Sequence, residues 1–320
     1  MLRILKTNDA ELVEIDLEKI CPEVWINLEA PRTEEMTSVS LKTGIGFDIL
    51  RAALDPEESS RVEIQDNCIL VIINTPKIMG SDRYDTVPLG IIVSENFMIT
   101  VCLEENELLR EFLNSKIKHF WTDKKTRFLF QLLLKCATMF LKLLTQINRR
   151  TDELERNLRR SMRNEEIYQL MELEKSLTYF TASLRGNQIV TEKLLKLRAN
   201  EQFTLLQAFE EDDEILEDVV VENRQALEMV QMYGDVLSGM MDAFASVISN
   251  NLNIVMKFLT MVTICIAIPT MISSFWGMNV NVPWGVNTTG HPFGFWFVAG
   301  LSGVLFLFSL YVFWKKGMFK

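Results

Sequence analysis

The stretch that decides the fold runs from Asn253 to Trp314, and its centre is Phe275-Trp276-Gly277-Met278-Asn279-Val280. No Asp, Glu, Lys or Arg occurs between Lys257 and Lys315, and His291 is the one histidine there. A bilayer core takes about 20 apolar residues per helix. Phe258–Trp276 and Pro292–Trp314 supply two such runs, joined by a polar connection containing Gly, Pro and Asn. The expectation is two membrane helices with a short loop at the end of a charged chain. The residues before Asn253 then form a domain that works at a membrane.

Composition narrows what that domain does. The formal net charge of -10 argues against nucleic acid, because phosphate contacts need clustered Lys and Arg. It is compatible with divalent cations as ligands. Cys21, Cys68, Cys102, Cys136 and Cys265 are scattered singly, without CxxC or His/Cys spacing, and read as free thiols in a reducing compartment. Met1-Leu2-Arg3-Ile4-Leu5-Lys6 lacks an apolar signal core, so no secretory signal is expected. Lys257 precedes the first span, and Lys315, Lys316 and Lys320 follow the second, while the connection carries no Lys or Arg. The positive-inside rule then predicts a multi-pass protein of the cell membrane with both termini cytosolic.

Before the spans the texture changes once. Short runs bounded by turn residues suggest strands at Arg3–Leu5, Leu12–Ile15, Val24–Leu28, Cys68–Ile73, Val87–Val93 and Phe97–Cys102. Thr33-Glu34-Glu35 and Gly46–Ala53 suggest short helices, and Asp55-Pro56-Glu57-Glu58 a helix start or a turn. Gly44-Ile45-Gly46 lacks the third glycine and the preceding apolar strand of a dinucleotide loop. From Lys125 the pattern becomes helical. Leu144, Ile147, Thr151, Leu154, Leu158 and Met162 step by three and four. Asn164 is placed to cap a return helix carrying Ile167, Leu170, Leu173, Leu177, Phe180 and Leu184 on one face. Two antiparallel helices would bury those seams together. A third helix begins near Glu211 and meets no proline before Pro269. Val220, Leu227, Val230, Leu237, Met241, Phe244 and Ile248 form a heptad-like stripe, with Asn223 and Gly234 in its gaps. Such a stripe serves either self-association or packing on the chain's own helices.

Within the first span Asn253, Met256, Thr260, Thr263, Ala267, Thr270 and Ser274 recur every three or four residues. One alternative is that the hydroxyls bond their own i−4 carbonyls or line a helix contact. The other is a pore wall, where small polar groups face water. One helix encloses no pore, so the second alternative demands an oligomer. Pro269 removes one backbone hydrogen bond, which a membrane helix accommodates with a kink.

Gly277-Met278-Asn279 at the far end of the first of two C-terminal spans resembles the signature of the CorA-type divalent-cation transporters. Asn253 to Thr260, the Pro269-Thr270 pair and the Lys-rich tail fit the same pattern, as does the order of α/β domain, helical hairpin, stalk helix and two spans. The resemblance implies a funnel-shaped homopentamer in the lipid bilayer, with five copies of the first span around a pore. It divides the chain into an α/β cytosolic domain (1–120), a helical hairpin (121–210), the cytosolic stalk (211–252) and a pore-lining span (253–276). An external loop (277–291), a second span (292–314) and a basic tail (315–320) follow. By the same resemblance Gly277, Met278 and Asn279 form the selectivity ring. Asn253, Met256, Leu259, Thr263 and Thr270 line the path, and Lys257 joins a basic collar. Asp218 falls where the family has a regulatory metal ligand, with Asp213 and Glu214 as companions. The partner acid in the N-terminal domain is replaced by Ala52, leaving Asp55 or Asp48 as substitutes. The loop Val280 to His291 lacks the acidic residues of many relatives.

Such residue types suit Mg²⁺ as both cargo and regulator, with no organic cofactor. Mg²⁺ gives up its waters reluctantly and demands octahedral coordination. A ring of neutral oxygens accepts hydrogen bonds from the hydrated ion's waters, whereas a carboxylate ring would bind more tightly and release more slowly. Met256 and Leu259 make an apolar constriction suited to gating by dewetting. Membrane potential drives uptake, giving a divalent ion about 4.6 kcal/mol per 100 mV. Glu210-Glu211-Asp212-Asp213-Glu214 and Glu217-Asp218 open the stalk with seven carboxylates. They suit either the macrodipole of a solvated helix start or shared cytosolic Mg²⁺ that closes the pore. Co²⁺ and Ni²⁺ are further candidate ions. A Zn²⁺ transporter of the same superfamily and a pore-less coiled-coil scaffold are the alternatives. His119 and His291 stand alone, and no nucleophile–base pair or phosphate loop suggests an enzyme.

Overall fold

The computed structural model describes residues 1–8, 11–65, 67–80, 82–114, 120–161, 164–199, 204–206, 209–278 and 293–316. His119, Met162, Asn279, the connection as far as Pro292 and the tail from Gly317 lie outside them. The chain divides into two compact units, Met1–Gly239 and Met240–Lys320.

Among the described residues of the first unit seven strands form one sheet: β1 Leu2–Asn8, β2 Glu11–Glu14, β3 Val24–Glu29, β4 Arg61–Gln65, β5 Cys68–Ile78, β6 Tyr84–Ser94 and β7 Phe97–Cys102. Their spatial order is β2-β1-β3-β7-β6-β5-β4. β3 and β7 run parallel, and the other neighbours antiparallel. Both faces of the sheet are covered, so its central strands read as continuous apolar runs and not as alternations. On β3, Val24, Ile26 and Leu28 join a core with Val39 of helix α1 (Thr33–Thr43) and Ile49 and Leu50 of α2 (Phe47–Arg51). Trp25 points the other way, with its ring 5.0 Å from Phe128 and 5.9 Å from Phe120. Its indole Nε1 donates to Thr100 Oγ1 at 2.8 Å, and Thr100 in turn donates to Asn27 Oδ1 at 2.8 Å.

Gly44 resolves the Gly44-Ile45-Gly46 fragment. It ends α1 in the left-handed region at φ 74°, with its N–H donating to Ser40 O, and so it is a helix C-cap. Gly90 of β6 is constrained differently. A Cβ there would sit 2.6 Å from Ala53 Cβ, under the turn Ala52–Leu54 that follows α2. Gly90→Ala therefore forces the turn off the sheet and is expected to destabilise the unit by about 1–3 kcal/mol. Chemical denaturation of the purified protein checks this.

Two elements were not expected from the sequence. β4 is short and alternates polar with apolar residues on an edge. α3 (Glu107–Leu113) buries Leu108, Leu109 and Phe112 and is capped by Asn106, whose Oδ1 accepts from Leu108 N at 3.0 Å. Asp55-Pro56-Glu57-Glu58 is a turn, closed by Glu57 N–H on Asp55 Oδ1 at 3.0 Å and Glu58 N–H on Asp55 O at 3.2 Å.

α4 (Lys125–Ser161) and α5 (Asn164–Arg198) form the antiparallel hairpin. Leu144, Ile147, Thr151, Leu154 and Leu158 face Leu170, Leu173, Leu177, Phe180 and Leu184 as buried seams. Asn164 is the first residue of α5 and not its cap. α5 also lies on the sheet. Asn187 accepts from Asn74 N at 2.9 Å and donates to Asn74 O at 2.8 Å. Its carboxamide thereby continues the pairing of β5 past Ile72, where β4 stops. Burial pushes the Cys102 and Cys136 thiols up, so neither is a ready nucleophile.

α6 (Glu210–Trp276) is a single helix that contains Pro269, and α7 (Phe293–Lys315) follows the connection. In the first unit α6 buries Leu216, Val219, Asn223, Ala226, Val230 and Leu237. The stripe expected from the sequence is therefore corrected toward its N-terminal end: Val220 and Leu227 flank the seam and do not occupy it. This seam meets the chain's own hairpin, where Asn223 Nδ2 donates to Leu184 O at 3.2 Å. Three described helices are long and apolar enough to cross a membrane: α4, α6 and α7. Burial separates them. In α4, 61% of the most apolar window is buried inside the protein, against 11% in each of α6 and α7. α4 is thus a core helix, and α6 and α7 are the candidate spans.

Candidate transport path and regulatory segment

The second unit contains the α6 residues expected to line a path. Asn253, Met256, Lys257, Leu259, Thr263, Ala267, Thr270 and Ser274 are all exposed. Met261 and Cys265 are buried, and Cys265 Sγ accepts from Ser309 Oγ of α7 at 3.5 Å. Trp276 lies 5.9 Å from Phe297, ring to ring. At about 100° per residue, the face bearing Met261, Cys265 and Trp276 lies roughly opposite the one bearing Met256, Thr263, Thr270 and Ser274. α7 thus packs on one side of α6, and the polar stripe is left uncovered on the other.

The stripe's hydroxyls have a defined polarity. Thr260, Thr263 and Thr270 donate to Met256 O, Leu259 O and Ile266 O, each at 2.8 Å. Each hydroxyl proton is committed within the helix, so the oxygen presents lone pairs outward. The face accepts hydrogen bonds. At the end of α6, Gly277 N–H reaches Ser273 O at 3.0 Å, and Met278 is exposed. A Cβ on Gly277 would lie 3.4 Å from Ser273 O, about ordinary contact distance. Gly277 stays out of the left-handed region. Asn279 lies outside the described residues.

The acidic start of α6 is partitioned. Asp213 accepts a two-pronged contact from Arg198 of α5, Nε to Oδ1 at 2.9 Å and Nη2 to Oδ2 at 3.2 Å. Asp212 is 2% exposed; its Oδ2 accepts from Phe209 N at 3.0 Å. Arg127 of α4 lies 3.2 Å from both Asp212 Oδ1 and Glu211 Oε2. Glu214, Glu217 and Asp218 are exposed. Asp55 and Asp48 are exposed as well, and Asp55 is occupied in its own turn. Among the described residues no group of three His, Cys, Asp or Glu side chains is placed to hold a metal ion. The arginines were missed from the sequence because their partners lie far along the chain.

The profile of the CorA-like Mg²⁺ transporter proteins matches residues 23–316. The chain belongs to this family. It is a CorA-family membrane transporter of divalent cations, not an enzyme. The CorA cobalt/magnesium transport protein of Methanocaldococcus jannaschii is 29% identical over 317 residues, covering 97% of this chain and 96% of that one. The complete structure of the CorA magnesium transporter from the same organism superposes with a TM-score of 0.81 at 27% identity, covering 99% and 98% of the two chains. The full-length CmaX protein shares the fold at 17% identity, with a TM-score of 0.72 over 98% of this CorA-family chain and 96% of its own.

Proposed function

We propose that the chain assembles as a homopentamer that takes up hydrated Mg²⁺ across the cell membrane, with Co²⁺ as a second substrate. The observation that carries this reading is the uncovered acceptor face of α6. An anion needs donors and would find none on the three threonines, whereas the waters around a cation donate to them. Five such faces around an axis make a path, with Asn253, Met256, Leu259, Thr263, Ala267, Thr270 and Ser274 toward it and Gly277-Met278-Asn279 at its outer end. Met256 and Leu259 supply the apolar constriction, and Lys257 the basic collar at the cytosolic mouth. Both termini are cytosolic, and the inside-negative potential drives entry. The relatives named for cobalt and magnesium transport support the choice of ions.

Cytosolic Mg²⁺ closes the path through Glu214 and Asp218, whose carboxylates stand exposed. When internal Mg²⁺ falls, the like charges of neighbouring subunits repel and the closed state loses population. Proteoliposomes test both statements. Mg²⁺ influx should follow an imposed inside-negative potential and be competed by Co²⁺. Millimolar internal Mg²⁺ should suppress it in the natural protein. In Glu214→Gln/Asp218→Asn that suppression should weaken by about tenfold in Mg²⁺ concentration, the change that ~1.4 kcal/mol of lost differential binding gives. Influx that ignores the potential sinks the transport reading, and unchanged suppression sinks the assignment of the two carboxylates.

A further inference from the structure

The acidic run at the start of α6 looks uniform in sequence, but its side chains have two different fates. Asp212 lies on the buried seam with Leu216, Val219 and Asn223. Glu211 and Asp213 flank it, one toward Arg127 of α4 and the other toward Arg198 of α5. Lys124, next to α4, lies 5.4 Å over the ring of Phe209, which immediately precedes the helix. Glu214, Glu217 and Asp218 are exposed.

We infer that Arg127 and Arg198 latch the first turn of α6 onto the base of the α4–α5 hairpin, with Glu211, Asp212 and Asp213 as latch carboxylates and not as metal ligands. Three features make the latch more than a set of surface ion pairs. Asp212 has a side-chain exposure of 3% and Arg127 of 16%, so their attraction is little screened. The Arg198–Asp213 contact is two-pronged, which fixes the angle as well as the distance. Asp212 also accepts the Phe209 N–H from the third helical position, one half of a capping box, so the same side chain starts the helix and docks it. The remaining row of Glu214, Glu217 and Asp218 is then aimed by the latch. The inference deepens the proposed regulation by assigning the arginines as positioning residues for that row.

Hydrogen exchange on the full-length protein in detergent, read over residues 209–219, tests the latch. In the natural protein these amides should be protected equally in EDTA and in millimolar Mg²⁺. Arg198→Ala should raise their exchange about tenfold or more while β5 and β6 stay protected. The swapped pair Arg198→Asp/Asp213→Arg should restore protection, which a loss of general stability would not. Arg127→Gln/Asp212→Asn keeps two neutral polar groups in contact and should loosen the same amides without unfolding the unit. Protection that appears only with Mg²⁺ would mean that the carboxylates are metal ligands, and it overturns the inference. So does protection unchanged in both variants. Failure of the regulatory reading looks different: Glu214→Gln/Asp218→Asn would leave Mg²⁺ suppression of flux intact while first-turn exchange still answered to Arg198.

Discussion

Replacing Asn279 with Ala is expected to lower Mg²⁺ influx into proteoliposomes by about tenfold or more, the consequence of losing ~1.4 kcal/mol of stabilisation at the proposed selectivity ring. The proposed role of this side chain is to accept hydrogen bonds from the ion's own waters. Alanine removes every such acceptor at once in a symmetric assembly. Asn279→Asp separates recognition from throughput, because a ring of carboxylates holds the ion longer. Influx should then saturate at lower Mg²⁺ and run more slowly. Asn279 is remote in sequence from the sheet and hairpin of the first unit, so unfolding of that unit should be unchanged in either variant. A protein that served only as a coiled-coil scaffold would be indifferent to both.

Asn187→Ala is expected to destabilise the first unit by about 2–4 kcal/mol. The carboxamide satisfies both the N–H and the C=O of Asn74, and each buried backbone group left without a partner costs roughly 1–3 kcal/mol. Ser60 Oγ also donates to Asn187 Oδ1 at 3.0 Å, and Asn74 Nδ2 donates to Ser60 Oγ at 3.1 Å, so the substitution opens a connected network. Gly186 sits beside it because a Cβ there would lie 2.9 Å from Ser60 Oγ. Urea denaturation gives the stability change, and exchange at the Asn74 amide locates it. Asn187→Asp keeps the acceptor and loses the donor, so its cost should be at least that of a single unmet carbonyl. A loss below about 1 kcal/mol would mean that water replaces the carboxamide freely.

The large features were legible because they rest on periodicity and hydropathy. The apolar runs at Cys68–Ile73 and Phe97–Cys102, the seams of the hairpin and the unbroken α6 are properties of neighbouring residues. What escaped depends on contacts between distant ones. β4 has polar residues at every second position (Arg61, Glu63 and Gln65), and only its place beside β5 makes it a strand. Asn223, Val230 and Leu237 of the expected α6 stripe are buried, but Val220 and Leu227 are only half-buried beside the seam, where Val219 and the small Ala226 take the buried places. The acidic run was read as one cluster. Its division into arginine-bound and exposed members depends on Arg127 and Arg198, some 85 and 15 residues before their partners. The polar stripe of the first span was visible from spacing. That it lies opposite the face packed by α7 required the buried Met261 and Cys265.

The burial of α4 also bears on how the protein is made. By hydropathy alone α4 qualifies for the bilayer, and it leaves the ribosome before either span. Its landing surface, the sheet from β1 to β7, is already complete by then, because Cys102 precedes Lys125. Roughly 90 residues separate the end of α4 from Asn253, an interval of about 5–20 s at usual synthesis rates. Sheet formation and hairpin docking have that window in which to hide the false span. A variant that weakens the sheet before the hairpin docks, such as Gly90→Ala, carries a risk beyond lost stability. It leaves α4 exposed to the insertion machinery before the two candidate spans, α6 and α7, have been made.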